Sequence, residues 1–275
     1  MNILIIACVA ALAFCVLWSG QSVALLVAGE PLAWPLRYTT RKPIVRWTGR
    51  MMIHVSWLII LIGTPLALGI SPLEALRQAF PLPVPWRPIG IAFAIMLIIC
   101  GGMFIVYNNT GWLHLEPQLD PKVRRAKLLR RFIGPLPLAT LEEGVFRGIV
   151  FEQMLRSLPQ TPFYTAVAVI LSSVVFTAAH FIKGAPGKAM AQKLQEAYGY
   201  FIVGCLFAWA YLVGGRSLWL PIVVHASAIF FVEVTRLYAV PKAPRWLVGL
   251  DVSPQSGLIG TLAVLGMAIA LAVLI

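Results

Sequence analysis

Long apolar stretches separated by short segments rich in polar residues, proline and glycine dominate the chain. They are too long and too evenly apolar to be the inward faces of helices in a water-soluble fold. A bilayer core takes about 20 mostly apolar residues per helix. Read on that scale, the chain divides into eight runs, at 3–28, 51–70, 88–108, 132–155, 162–183, 196–214, 217–237 and 254–275. The pattern predicts an all-α fold, a polytopic transmembrane helical bundle. The first run has no basic segment before it and no small-x-small cleavage site after it, and is read as a retained span. Pro81, Pro83, Pro85 and Pro88 predict an extended loop. Only the connection 108–134 has room for further structure.

Composition agrees with a lipid solvent. Of the 275 residues, 60% are hydrophobic types and 12% are charged, against roughly a quarter charged in a soluble domain. The 22 basic and 10 acidic residues give a net charge of +12. In a soluble protein that excess would suggest nucleic acid; in a membrane protein it reports topology, so no nucleic-acid partner is expected. Cys8, Cys15, Cys100 and Cys205 all lie in apolar runs, with no metal-type spacing.

The basic residues sort cleanly by loop. The first loop holds Arg37, Arg41, Lys42, Arg46 and Arg50; the third holds Lys122, Arg124, Arg125, Lys127, Arg130 and Arg131. The fifth holds Lys183, Lys188 and Lys193, and the seventh Arg236, Lys242 and Arg245. These 17 contrast with four in the remaining loops, Arg77, Arg87, Arg156 and Arg216. The odd loops are therefore assigned to the cytoplasm and both termini to the other side of an inner (plasma) membrane. Segment 121–131 reads as a basic interfacial helix facing anionic headgroups.

One basic residue is left over, Arg147, in the middle of the fourth run. A charge there costs at least ~2.5 kcal/mol on insertion scales and is a functional hypothesis by default. Glu142 and Glu143 lie in the same run, His180 ends the fifth, His225 lies in the seventh and His54 opens the second. Arg147 is at i+4 from Glu143, the spacing at which carboxylate and guanidinium meet. Glu142 is at i+5, so it must take up a proton or meet a donor on another helix. Glu142 and His225 each lie 11 residues from a basic boundary residue, roughly 16 Å along a helix. A buried carboxylate beside imidazoles is what general-base activation of water requires, and a second histidine can donate to an oxyanion. The bland alternative is a set of interhelical polar staples.

Glu142-Glu143-Gly144-Val145-Phe146-Arg147 resembles the E-E-x-x-x-R motif of the CPBP family (CAAX prenyl protease and bacteriocin-processing, or Abi), intramembrane glutamic endopeptidases. Phe176-Thr177-Ala178-Ala179-His180 is similar to its F-x-x-x-H motif, and the segment 217–226, ending in His225 and Ala226, to the approach to H-x-x-x-N. The resemblance covers about 130–236. It implies hydrolysis of a peptide bond near the tail or leader of a membrane-associated protein or peptide, with no metal and no cofactor. By position, Glu142 and His180 would activate the water, Glu143 and Arg147 would orient that pair, and His225 would help stabilise the oxyanion. Where the family has Asn, this chain has Ile229. A substitute donor, a slow enzyme and a degenerate site stay open; Asn108 and Asn109 are better placed in depth than Ser227, which faces away from His225.

The resemblance divides the chain into a variable region at 1–131, a catalytic core at 132–238, and a last loop and span at 239–275. A site-2 metalloprotease would need H-E-x-x-H and an aspartyl protease two intramembrane Asp; neither is present, and the only Asp are Asp120 and Asp251. A rhomboid-like protease would need a Ser nucleophile in a Gly-x-Ser setting with a paired His, and that reading is set aside. A zinc hydrolase with Glu142, His180 and His225 as ligands fits the ligand chemistry. A non-catalytic binding or immunity protein using the same cavity and a proton-coupled transporter are the rivals from other classes. Glu233 with Arg236, His54 and His114 are read as interfacial.

Overall fold

The computed structural model of the chain describes residues 2–33, 42–116, 120–182, 189–250 and 253–275; Trp34, Arg37, Arg41, Lys183, Lys188 and Asp251 lie outside the described residues. The chain is an all-α membrane bundle. Helix α1 (Asn2–Val27) and α2 (Pro43–Ala67) form an antiparallel pair, with Lys42 ion-paired to Glu30 at 3.1 Å across their connection. The Ser56 hydroxyl donates to the Ala13 carbonyl at 3.1 Å, and Gly20 faces Met52 where any Cβ would overlap the thioether. Small residues at such crossings let backbones approach when lipid offers no hydrophobic drive.

A short α3 (Pro72–Ala79) leads to α4 (Trp86–Asn109) and then α5 (Pro121–Ile133). Helix α5 is the expected basic helix: Pro121 opens it, and the Asp120 side chain caps it by accepting from the Lys122 N–H at 2.9 Å. Arg131 turns inward to the Glu233 carboxylate. The fourth run is one continuous helical stretch made of α6 (Pro135–Glu143), a π-helix (Gly144–Phe151) and α7 (Glu152–Ser157). Helices α8 (Pro162–Ile182), α9 (Met190–Val213) and α10 (Trp219–Tyr238) follow. A four-residue α11 (Arg245–Val248) and a single 3₁₀ turn at Pro254–Ser256 precede α12 (Leu258–Leu274).

Helices α1, α2, α4, α8, α9 and α10 are long and apolar enough to cross a membrane; α12, at 17 residues, is shorter. The outward faces carry side chains such as Leu4, Ile98, Phe163 and Val273, as a lipid solvent permits. The π-helix sits at the centre, with Trp57 and Ile60 of α2, Phe176 of α8, Phe207 of α9 and Val224 of α10 in the clusters around it.

Several expectations shift. The second run begins at Pro43, because Arg46 and Arg50 lie in the first turns of α2. Pro88 belongs to the first turn of α4, where its missing N–H costs nothing, so the extended segment ends at Pro85. The connections were richer than expected: α3 lies in one, and strands β1 (Leu113–Leu115) and β2 (Ala239–Pro241) pair antiparallel, His114 opposite Val240. This ribbon ties the ends of α4 and α10 together.

The turn before α12 is packed backbone on backbone. A Cβ on Gly260 would lie 2.1 Å from the Pro254 carbonyl oxygen, whereas one on Gly266 would meet nothing nearer than 4.0 Å. Gly260→Ala should therefore lower the melting temperature in detergent, by the equivalent of ~1–3 kcal/mol. Gly266→Ala should leave it unchanged or raise it, since alanine is favoured in a helix by about 1 kcal/mol; equal losses in both variants would contradict this packing.

Candidate active site

The five ionisable residues singled out from the sequence converge on one point. The π-helical stretch and the turn before it supply Glu142, Glu143 and Arg147, α8 supplies His180 and α10 supplies His225. Glycine shapes the stretch: a Cβ at Gly144 would lie 2.8 Å from a Leu61 methyl, so α2 can pass close only because none is there. A π turn is rare and recurs at functional sites. It was not expected from the sequence, whose spacing was read on an α-helix; the i, i+4 neighbours nonetheless meet.

Glu143 and Arg147 are completely buried and ion-paired, with Arg147 Nε 3.3 Å from Glu143 Oε2. Arg147 Nη2 also donates to the Gly204 carbonyl at 2.7 Å. Its guanidinium carbon lies 4.8 Å from the Phe176 ring centroid and 5.4 Å from that of Phe207, so the charge is held between two π faces. Gly204 is needed here, because a Cβ would sit 3.1 Å from Ser173 of α8.

Both histidines have one ring nitrogen committed. His225 Nδ1 is 2.7 Å from Glu143 Oε1, a carboxylate oxygen that accepts its N–H, and the ring stacks on Phe207 with centroids 4.4 Å apart. His180 Nδ1 is 2.9 Å from the Phe176 carbonyl, which likewise only accepts, and its ring lies between Phe176 and Tyr200 at 4.3 and 4.6 Å. Fixing Nδ1 as the donor leaves Nε2 as the atom each ring turns towards its neighbours. Both Nε2 atoms face Glu142 Oε2, at 3.6 Å from His180 and 3.8 Å from His225. These gaps are too long for direct hydrogen bonds and suit one bridging water.

Other candidates lie elsewhere. Ile229, half-buried one turn along α10 from His225, brings no hydrogen-bonding atom. Asn108 and Asn109 are exposed at the end of α4, so they are removed as substitute donors by position. Glu233 pairs with Arg236 at 3.0 Å and also with Arg131, away from the cluster. His54, bonded to the Arg50 carbonyl, and His114 on β1 are exposed and apart from the cluster. Among the described residues, no group of three or more His, Cys, Asp or Glu side chains is arranged to hold a metal ion.

Sequence reasoning overlooked Glu152, a third buried carboxylate in the same stretch. Its Oε1 accepts from Arg156 Nε at 2.7 Å, and its Oε2 accepts from the Tyr211 hydroxyl and Arg216 Nε at 3.0 Å each. The signal was the i, i+4 spacing of Glu152 and Arg156. An apolar cavity of about 310 Å³, lined by residues including Met96, Val203, Leu206, Ala228 and Phe231, shares α9 and α10 with the cluster.

Residues 126–231 match the family of type II CAAX prenyl endopeptidases, Rce1-like. Over these residues the chain is similar to the CAAX protease family. All five converging residues fall inside the matched segment, as does Ile229. No curated protein and no solved structure matches the chain.

The burial of Glu143 and Arg147 makes the pair a stability element as well. Arg147→Met should destabilise the protein by roughly 3–5 kcal/mol, because Glu143 is left buried against an apolar chain. Adding Glu143→Gln should recover part of that loss. Unfolding midpoints of the two variants check this; a double variant less stable than the single would refute it.

Proposed function

We propose that this CAAX-protease-family protein is an intramembrane endopeptidase whose water is activated by Glu142 and His180. The observation that carries the reading is the approach of two imidazole Nε2 atoms to one buried carboxylate oxygen, at 3.6 and 3.8 Å. A water bridging Glu142 and His180 gives its proton to this pair as its oxygen attacks the scissile carbonyl. The carboxyl of Glu142 then returns the proton to the departing amine, so acid and base are one group in two steps. Peptide-bond cleavage then needs no metal.

The roles of the remaining residues follow from their bonds. Glu143 orients His225 through Nδ1, and Arg147 holds Glu143 in place while offsetting its charge. His225 donates from Nε2 to the oxyanion when that nitrogen carries a proton, with the Glu143 carboxylate holding Nδ1. Ile229 adds nothing to that task, and absence of one oxyanion donor typically costs on the order of 10²–10³ in turnover.

The substrate class in this reading is the tail or leader of a membrane-associated protein or peptide. The apolar cavity that shares α9 and α10 with the cluster supports it by offering a wall to hydrocarbon groups. The basic side chains of α5 and of the other odd connections support an orientation with the site in the cytoplasmic half of the inner (plasma) membrane. On the same reading, 132–238 is the catalytic core, 1–131 a variable region ahead of it, and 239–275 a closing loop and span. Ile229 also favours one alternative, a non-catalytic binding or immunity protein that holds a peptide in the same cavity.

Purified protein in lipid vesicles should cleave a membrane-anchored peptide near its tail, in the presence of chelator as well as without it. Glu142→Ala and His180→Ala should each cut the rate by at least ~10²–10⁴ without altering the melting temperature. Ile229→Asn should raise it if the missing donor is limiting. Unchanged cleavage in either alanine variant would overturn the catalytic assignment; peptide binding without cleavage in the wild type would establish the alternative, and inhibition by chelator a metal-dependent site.

A further inference from the structure

The second polar centre of the molecule lies around Glu152, at the end of the bundle where α2, α7 and α9 finish and α10 begins. A cavity of about 550 Å³ opens there. Thr64, Gln78, Glu152, Arg156, Tyr211 and Arg216 give it its polar side, and Pro65, Leu68, Ile70 and Ala75 form an apolar wall.

Three observations distinguish this cavity from a structural staple. First, two guanidinium groups face a single carboxylate, so the lining carries a net positive charge; Glu152 is its only acidic residue. Arg216 uses Nε and Nη2 on Glu152, and Arg156 uses Nε on Glu152 and Nη2 towards Gln78 at 3.4 Å. A guanidinium has five N–H donors, so each retains others to offer. Second, the Thr64 hydroxyl, only 1% exposed on the cavity wall, has no hydrogen-bond partner among the described residues. A buried hydroxyl left without a partner is costly, and its place in the wall of a polar cavity points to an occupant that bonds to it. Third, Arg216 adopts φ 62°, the only left-handed conformation of a non-glycine residue among the described residues. That strain persists where surrounding interactions hold it, and here it brings the guanidinium to the cavity.

We infer that this cavity is a binding site for a phosphoryl anion, with Arg156, Arg216 and the Thr64 hydroxyl as its donors. A phosphate oxygen accepts from all three, and guanidinium geometry matches it better than a point charge would. The phosphoryl group comes either from a phospholipid headgroup, whose glycerol and chains follow the apolar wall, or from free phosphate. The site is separate from the Glu142 cluster, and the inference does not depend on proteolysis. Gly148 and Ile149 line the cavity from the π-helix that also carries Arg147, so an occupant would press on the same stretch from its other side.

The test is equilibrium binding to the full-length protein in a non-ionic detergent, with a soluble short-chain phosphatidylglycerol as one probe and inorganic phosphate as the other. Thr64→Val keeps the shape and removes the hydroxyl; Arg156→Gln removes one charge, and Arg156→Lys restores charge without the fork. Saturable binding is expected, weakened roughly 5–10-fold by Thr64→Val, as loss of one hydrogen bond implies, more by Arg156→Gln, and partly restored by Arg156→Lys. Melting temperatures within a few degrees of the wild type establish that the variants fold. Tighter binding of the phospholipid than of phosphate identifies the headgroup as the source, and equal affinities identify the free anion. If neither probe binds saturably, or if folded Thr64→Val and Arg156→Gln both bind like the wild type, the assignment is wrong.

Discussion

A charged pair with no access to water sets the terms for the rest of this structure. Glu143 and Arg147 are completely buried, and the attraction between them does not by itself repay the loss of hydration. What stabilises them is the surroundings. The Gly204 carbonyl and His225 Nδ1 complete their bonding, and Phe176 and Phe207 bracket the guanidinium. Those groups come from α8, α9 and α10, so three helices are fixed to the π-helix by the requirements of one pair. His225 is oriented in the process. The geometry that aims its second nitrogen at Glu142 is thus inherited from the burial of Glu143.

Much of this was legible because hydrocarbon is a demanding solvent. Apolar run length gave the long helices. The few ionisable residues inside the runs were conspicuous since lipid tolerates so few. Matched spacing from basic boundary residues placed Glu142 and His225 at one depth, and the i+4 relation of Glu143 to Arg147 survives in the structure at 3.3 Å. Depth and helical phase are one-dimensional quantities, so a linear reading recovers them.

What escaped is three-dimensional or cooperative. The π turn leaves the apolar pattern nearly unchanged, and only Gly144 and Gly148 hint at it. The β1–β2 ribbon pairs three residues with three others far along the chain, and segments that short have no periodicity to detect. Glu152 was passed over because it falls near the end of its run, where a charge is cheap; its burial depends on Tyr211 in the last turn of α9 and on Arg216, which the loop after α9 brings back to it. Asn108 and Asn109 were favoured as substitute donors for a reason that misses the same dimension. Asn108 and Asn109 have suitable depth, but the end of α4 carries them outward, and depth says nothing about azimuth.

The π-helix has a further meaning for how the chain tolerates change in length. A π turn holds more residues than an α turn, so this stretch behaves as an α-helix with an added residue absorbed into it. Deleting one residue between Gly144 and Phe151 would let the segment close into an ordinary α-helix with nearly the same phase on either side. Relaxed to 3.6 residues per turn with every residue kept, the stretch would instead rotate everything beyond it by roughly 100°. Glu142 and Glu143 could then face the histidines, or Glu152 could face Arg216, but not both. The irregular turn is the phase adjuster between two charge centres on one helical rod, and that makes the register of this segment, more than its composition, the property least free to drift.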